Sequence, residues 1–151
     1  MFIYDRTKKD VQMAQIYRNA ILSGEGLSDE EMAQWLAGMK GALNASDFIR
    51  VEQEMAQMKS ALTALEISCE YVAQTWTVGE ILSKTKVDRY LQNISNFRNT
   101  VWIPADTPST PSNLFTWENA NAAEKILAEV QAGIGNTLSA ITYSGEAYAG
   151  D

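Results

Sequence analysis

Between Phe48 and Leu65 the apolar residues fall at Phe48, Val51, Met55, Met58, Leu62 and Leu65, in steps of 3, 4, 3, 4, 3. That spacing puts all six on one narrow face of an α-helix and suits no strand, whose side chains alternate every second residue. The seam ends before three heptads are complete, too short for a free coiled coil. It predicts a helix whose stripe is buried against other helices.

The helices around it announce themselves by their caps. Thr7 with Asp10 three residues later, and Ser28 with Glu31, have the form of capping boxes. The first should start a helix through Val11, Ala14, Tyr17 and Ile21, ended by Ser23-Gly24-Glu25-Gly26. The second opens one with Met32, Trp35, Leu36 and Met39 on its apolar stripe and Gly41 as its stop. Asn44 or Ser46 caps the seam helix. Residues 67–83 are ambiguous: Ile67 to Ala73 could continue that helix, and Thr75 to Gly79 reads as a break. Thr85 with Asp88 then starts a helix through Val87, Tyr90, Leu91, Ile94 and Phe97.

All three prolines (Pro104, Pro108 and Pro111) lie in residues 101–116, which therefore form an extended connection. Thr116 caps a last helix over 117–137, with Ala120, Ala123, Leu127, Val130 and Ile134 on one face and Gly133 and Gly135 loosening its end. After Leu138, Ile141, Tyr143 and Tyr148 around Ser144-Gly145-Glu146 read as two short strands. These are expected to pair with a strand in residues 1–6. The expectation is one all-α domain over 1–151: about five helices, four of them within 7–100, with a small β element made by the two terminal segments.

The chain has 151 residues and a formal net charge of −7. One domain of that size buries a full core. The charge disfavours duplex nucleic acid, which is bound largely through lysine and arginine, and anionic membrane surfaces. The one basic cluster, Lys84, Lys86, Arg89 and Arg98 near Trp102, is interrupted by Asp88 and reads as a solvated helix face. No apolar run approaches the ~20 residues of a membrane span, and no signal peptide is visible. These features predict a soluble chain made in a cytoplasm. Cys69 is the only cysteine and is expected to be a small buried apolar group.

The chain contains no histidine. That removes the commonest general base and metal ligand, and every Ser-His or Cys-His pair. One cysteine builds no Cys/His zinc site. Gly133-Ile134-Gly135 lacks the rest of a dinucleotide loop. Glu52, Glu66 and Glu70 on or near the seam helix could act as an acid–base pair only if two faced each other in a pocket. No enzyme, cofactor or metal site is expected. Work is then done by surfaces. Among Trp35, Trp76, Trp102 and Trp117, Trp35 is expected in the core. Trp102, Pro104, Pro108, Tyr143 and Tyr148 are the candidate assembly contacts. Tryptophan and tyrosine also stack on sugars, but nothing in the sequence supports a receptor or carbohydrate site.

Several segments resemble a family of small proteins encoded among the tail and minor structural genes of phages and prophages of Gram-positive bacteria. Ile3-Tyr4-Asp5-Arg6-Thr7 resembles that family's N-terminal Tyr-Asp-Arg-Thr before a helix. The fullest match is Trp35-Leu36-Ala37-Gly38-Met39-Lys40-Gly41-Ala42-Leu43-Asn44-Ala45-Ser46-Asp47-Phe48-Ile49-Arg50-Val51-Glu52. It resembles the family's Trp-Leu-x-Gly-x-Lys-Gly-x-Tyr-Asn-x-x-Asp-Leu-Asn-Arg-Val-Glu, with Leu43 in place of the aromatic and Phe48-Ile49 in place of Leu-Asn. Arg89-Tyr90-Leu91-Gln92-Asn93-Ile94 is similar to a later Arg-Tyr-Leu-x-Asn-Val. The stretch Tyr143-Ser144-Gly145-Glu146-Ala147-Tyr148-Ala149-Gly150-Asp151 resembles a terminal Tyr-Ser-Gly-Glu-Leu-Tyr-Ser-Gly-Glu. The resemblance implies a structural virion part that assembles with other tail proteins and with copies of itself, and implies no reaction. The alternative is a small acidic adaptor or inhibitor acting on a host or phage protein. Within the fullest match, Trp35, Gly38, Gly41, Asp47 and Arg50 are the candidate structural motif. The glycines allow a tight corner between two helices, and Asp47 and Arg50, three residues apart, are placed to pair.

Overall fold

The seam forms as its spacing requires. α3 (Ala45–Ala64) buries Phe48, Val51, Met55, Met58 and Leu62, and Asn44 caps it in a box with Asp47. The computed structural model describes residues 1–149, with side chains as far as Ile141. Five helices lie within them: α1 (Lys8–Leu22), α2 (Asp29–Ala37), α3, α4 (Lys84–Arg98) and α5 (Trp117–Ala149). α5 packs on both α3 and α4, and these three make the body of the protein. Their stripes meet in one apolar core that includes Tyr90, Leu91, Ile94 and Phe97 from α4 and Ala123, Ile126, Leu127 and Val130 from α5. Fully burying each large side chain contributes roughly 1.5–3 kcal/mol.

α1 and α2 pack on each other as an antiparallel hairpin and make no comparable contact with the body. Both start with the capping boxes read from the sequence, Thr7–Asp10 and Ser28–Glu31. Only Ala14 and Tyr17 of α1, and no residue of α2, are buried. The Tyr17 hydroxyl bonds Gln34 Oε1 across the pair at 2.9 Å.

Between α3 and α4 the chain is not helical. α3 closes at Leu65, and Glu66 takes a left-handed conformation, φ 59°. From Ile67 to Thr77 the backbone then forms neither helix nor strand and contains no turn or bend. Side chains hold this strap rather than a neighbouring strand. The fully buried Asn93 amide of α4 accepts from Val72 N at 3.1 Å and donates to Val72 O at 2.8 Å. Asn96 Nδ2 donates to Glu70 O, and Lys59 Nζ to Cys69 O. Cys69 and Trp76 point into the core, where Trp76 stacks on Phe48 with ring centres 4.2 Å apart.

Three expectations need correction. No strand is present among the described residues, so the small β element of the terminal segments does not form. Residues 2–5 cannot build a ladder: Phe2 enters the core, while the Ile3 N–H and carbonyl bond the side chains of Glu124 and Arg6. Residues 138–149 continue α5 instead of forming strands. Extending an existing helix costs no new nucleus, and the alanines of this stretch favour it. Gly133 and Gly135 therefore sit inside the helix and do not loosen an end. Gly133 is where Trp102 crosses: a Cβ there would lie 2.7 Å from the Trp102 carbonyl oxygen. Finally, α4 begins two residues earlier than the Thr85–Asp88 pair suggests, because Ser83 caps it through Lys86 N.

Candidate functional site: a buried ionic clamp

The most organised polar site is assembled from four parts of the chain. α5 turns a carboxylate, Glu124, toward the core from the same stripe as Ala120, Ala123 and Leu127. It is 2% exposed. Facing it is Arg6, 4% exposed, from the segment before α1. Arg6 Nη2 lies 2.9 Å from Glu124 Oε1 and 3.5 Å from Asp47 Oδ1. Arg50, one turn along α3 from Asp47, grips Glu124 with both amino groups, Nη1 to Oε2 at 2.9 Å and Nη2 to Oε1 at 3.0 Å. Its Nη2 also meets Asp47 Oδ1 at 3.2 Å. Two arginines and two carboxylates leave the cluster electrically neutral.

The remaining donors tie down backbone. Arg6 Nη1 reaches Ile3 O at 2.7 Å and Nε reaches Lys40 O at 3.1 Å. Arg50 Nη1 reaches Met1 O at 2.6 Å. Asn121 of α5 bonds both the N–H and the carbonyl of Arg6. The clamp thus holds residues 1–6, the corner after α2, α3 and α5 in one arrangement. Burial pulls the Arg50 guanidinium toward losing its proton, but bonds to Glu124 and Asp47 outweigh it and its pKa is raised. Burial, then the Glu124 charge, pushes the nearby Tyr90 phenol well above its usual range.

Chemically the clamp is closed. Glu124 accepts from Arg6, twice from Arg50 and from Ile3 N, which fills its lone-pair sites. A carboxylate so occupied is not available as a general base. An open cleft of about 830 Å³ lies beside it, between residues 1–5 and the corner at Gly38–Lys40. The charged and polar groups on its rim already pair with each other: Lys40 with Asp5 at 2.7 Å, Asn44 with Ser46, and Asp47 with Arg50.

A second buried carboxylate, Glu52, sits under the strap. Tyr71 donates its hydroxyl to Glu52 Oε2 at 2.6 Å, and Trp76 Nε1 donates to Oε1 at 3.4 Å. Burial first, and this bond second, raise the Tyr71 pKa above its ordinary value. Glu66 and Glu70 are exposed, so they do not face Glu52 in a shared pocket.

Of the motif residues, Asp47 and Arg50 meet in the clamp. Gly38 ends α2 with φ 93°. Gly41 lies so close to α1 that a Cβ would overlap the Asp10 carbonyl. Trp35 is half-buried within the hairpin, outside the main core. Trp102 stands 79% exposed and Phe115 91% exposed, at the two ends of the proline-rich connection. Pro104 and Pro108 are half-buried, and Pro108 O accepts from Arg98 Nε at 3.0 Å. Tyr143 and Tyr148 lie on the last turns of α5, and their side chains fall outside the described residues. The basic cluster of α4 is largely spent: Lys84 pairs with Asp88, Lys86 with Glu80, and Arg98 with carbonyls of the connection.

Sequence reasoning missed Glu124 and Asn93, and it singled out Glu52 without its partners Tyr71 and Trp76. Each carried a signal, a polar residue at or beside a position of an apolar helical stripe. No known family model, curated protein or solved structure matches the chain. No helix among the described residues is long and apolar enough to cross a membrane.

Proposed function

We propose that this chain is a non-enzymatic structural component of a bacteriophage tail, baseplate or tail-like particle, made in the bacterial cytoplasm and built into the particle by contact with other tail proteins and with copies of itself. One observation carries the reading. Two of the segments that carry the phage resemblance, Tyr4-Asp5-Arg6-Thr7 and the fullest match, Trp35 to Glu52, contribute Arg6, Asp47 and Arg50 to a single neutral clamp. Motif residues used to hold four chain segments rigid suit a building block. The exposed Trp102 and Phe115 add apolar anchors of the kind that interfaces use. The acidic balance of the chain argues against nucleic acid as a partner.

The test is mass spectrometry of particles purified from the producing bacteria, with labelling by an antibody to this chain. The expected result is the chain in fixed proportion to known tail proteins. Finding it only in the lysate, bound to a host protein, would overturn the reading in favour of an adaptor.

A further inference from the structure

We propose that a second copy of this chain docks on the α1–α2 hairpin, the two hairpins lying antiparallel so that the tip of each meets the root of the other. The inference rests on the assembly reading above and names the partner.

Three observations lead to it. The first is that α1 keeps an apolar stripe uncovered. Met13, Ile16 and the half-buried Ala20 follow one another in steps of 3 and 4, hence on one face, with Lys9 one turn before them. Ile16 is 61% exposed and Met13 is also exposed, while the neighbouring face with Ala14 and Tyr17 packs on α2. The second is the distribution of charge. Between Ala20 and Gln34, the tip of the hairpin, the charged residues are Glu25, Asp29, Glu30 and Glu31, all acidic. At the root, Lys8 and Lys9 are exposed, and Lys40 stands beside Asp5. The third is that Lys8, Lys9, Glu25, Asp29 and Glu30 take part in none of the ion pairs among the described residues. Arg18, exposed within α1, is unpaired among the described residues as well; beyond it, opposite charges stand unpaired at the two ends of the hairpin.

A surface with that layout complements itself. A two-fold axis through Ile16 places Ile16 on Ile16 of the other copy and lays Met13 beside the other Ala20. It also brings Lys8 and Lys9 to the level of the other copy's Ser23–Glu25. α1 is about 22 Å long at 1.5 Å per residue, so both ends are engaged at once. A parallel pairing would set acid against acid. Contacts of this kind are isologous and close on themselves, giving a dimer rather than a fibre.

The test is sedimentation equilibrium of the full chain over a wide concentration range. The wild type is expected as a discrete dimer. Ile16→Glu, at an exposed site, should give a monomer with an unchanged far-ultraviolet circular dichroism spectrum. Reversing the root (Lys8→Glu with Lys9→Glu) or the tip (Glu25→Lys with Glu30→Lys) should each weaken association by about tenfold. An equimolar mixture of the two reversed chains should recover it, because each root then again faces an opposite tip. A monomeric wild type, an Ile16→Glu chain that still dimerises, or a mixture no tighter than its components would overturn the proposal. An oligomer indifferent to all these changes would sink the hairpin contact yet leave the assembly reading standing on another surface. Absence of the chain from purified particles would sink that reading itself.

Discussion

The three-helix body and the two-helix hairpin start from the same local signals and end in different states. Each has capped helices with apolar residues at helical spacing. In the body, three stripes converge and the strap seals the groove between α3 and α4, so Phe48, Val51, Ile94, Phe97 and Leu127 are all but removed from water. In the hairpin, two stripes meet only each other. Nothing beyond Ala14 and Tyr17 is buried, and Ile16, Leu22 and Leu36 face outward. Helix-forming sequence is thus sufficient for secondary structure in both, while a third partner decides which becomes a core. The hairpin is tied to the body at its root, by the clamp below α1, by Gly41 against Asp10 and by Lys40 with Asp5.

The largest expected effect therefore comes from the clamp, where hairpin and body are joined. Glu124→Ala leaves Arg6 and Arg50 with Asp47 alone as their shared counter-charge. Removing one partner of a buried ionic pair costs about 3–5 kcal/mol. Urea unfolding should show that loss. A change below about 1 kcal/mol, the worth of an exposed pair, would mean that the cluster is solvated and not a clamp.

Two glycines separate the regions more sharply. A Cβ at Gly133 would press on the Trp102 carbonyl and on Val101, within the body. A Cβ at Gly41 would overlap the Asp10 backbone, at the root of the hairpin. Overpacking of this kind costs about 1–3 kcal/mol, offset at Gly133 by roughly 1 kcal/mol of gained helix propensity. Gly133→Ala should lower the protection of core amides in α3, α4 and α5 from hydrogen exchange. Gly41→Ala should lower protection in α1 and α2 and leave the core amides unchanged. If both variants lowered all five helices equally, the two regions would be one cooperative unit and the comparison would fail.

What was legible in the sequence follows the same division between local and distant causes. Thr7–Asp10 and Ser28–Glu31 act over three residues, so these helix starts could be read directly, as could the seam of α3, whose cap, Asn44 or Ser46 from the sequence alone, proves to be Asn44. The strap could not be read, because its conformation depends on Asn93 of α4 and on Glu52 beneath Tyr71 and Trp76, far away along the chain. The last turns of α5 misled for another reason. Glycine and aromatic residues suggested strands, but the free energy of continuing a helix already formed outweighed local preference. Half of the clamp was visible as the Asp47–Arg50 spacing. Glu124 was overlooked although it stands on the apolar stripe, where a lone carboxylate needs a buried partner.

A smaller effect should be confined to the hairpin. Ser28→Ala removes the hydroxyl that accepts from Glu31 N at 3.2 Å. Losing such a cap costs about 1 kcal/mol. Because α2 shares little with the body, the main unfolding transition should keep its midpoint while amides of α2 exchange faster. A shift of the whole transition would show that α2 is coupled to the core after all.

The smallest effect is a matter of pH. Asp10 accepts from the Thr7 hydroxyl and from the Thr7 N–H, and these bonds hold its pKa below the ordinary 3.8. Asp5 is lowered from the same value by its bond to Lys40. A carboxylate with a depressed folded pKa binds its proton more readily in the unfolded chain. Its contribution is therefore complete above 3.8 and is lost as the pH falls through the lower folded value. Both groups sit at the hairpin root. On acidification below 3.8, amides in the first turn of α1 should lose protection before those of Val51, Ile94 and Leu127. Simultaneous loss at one pH would mean that the root carries no separate acid sensitivity, and that hairpin and body come apart only together.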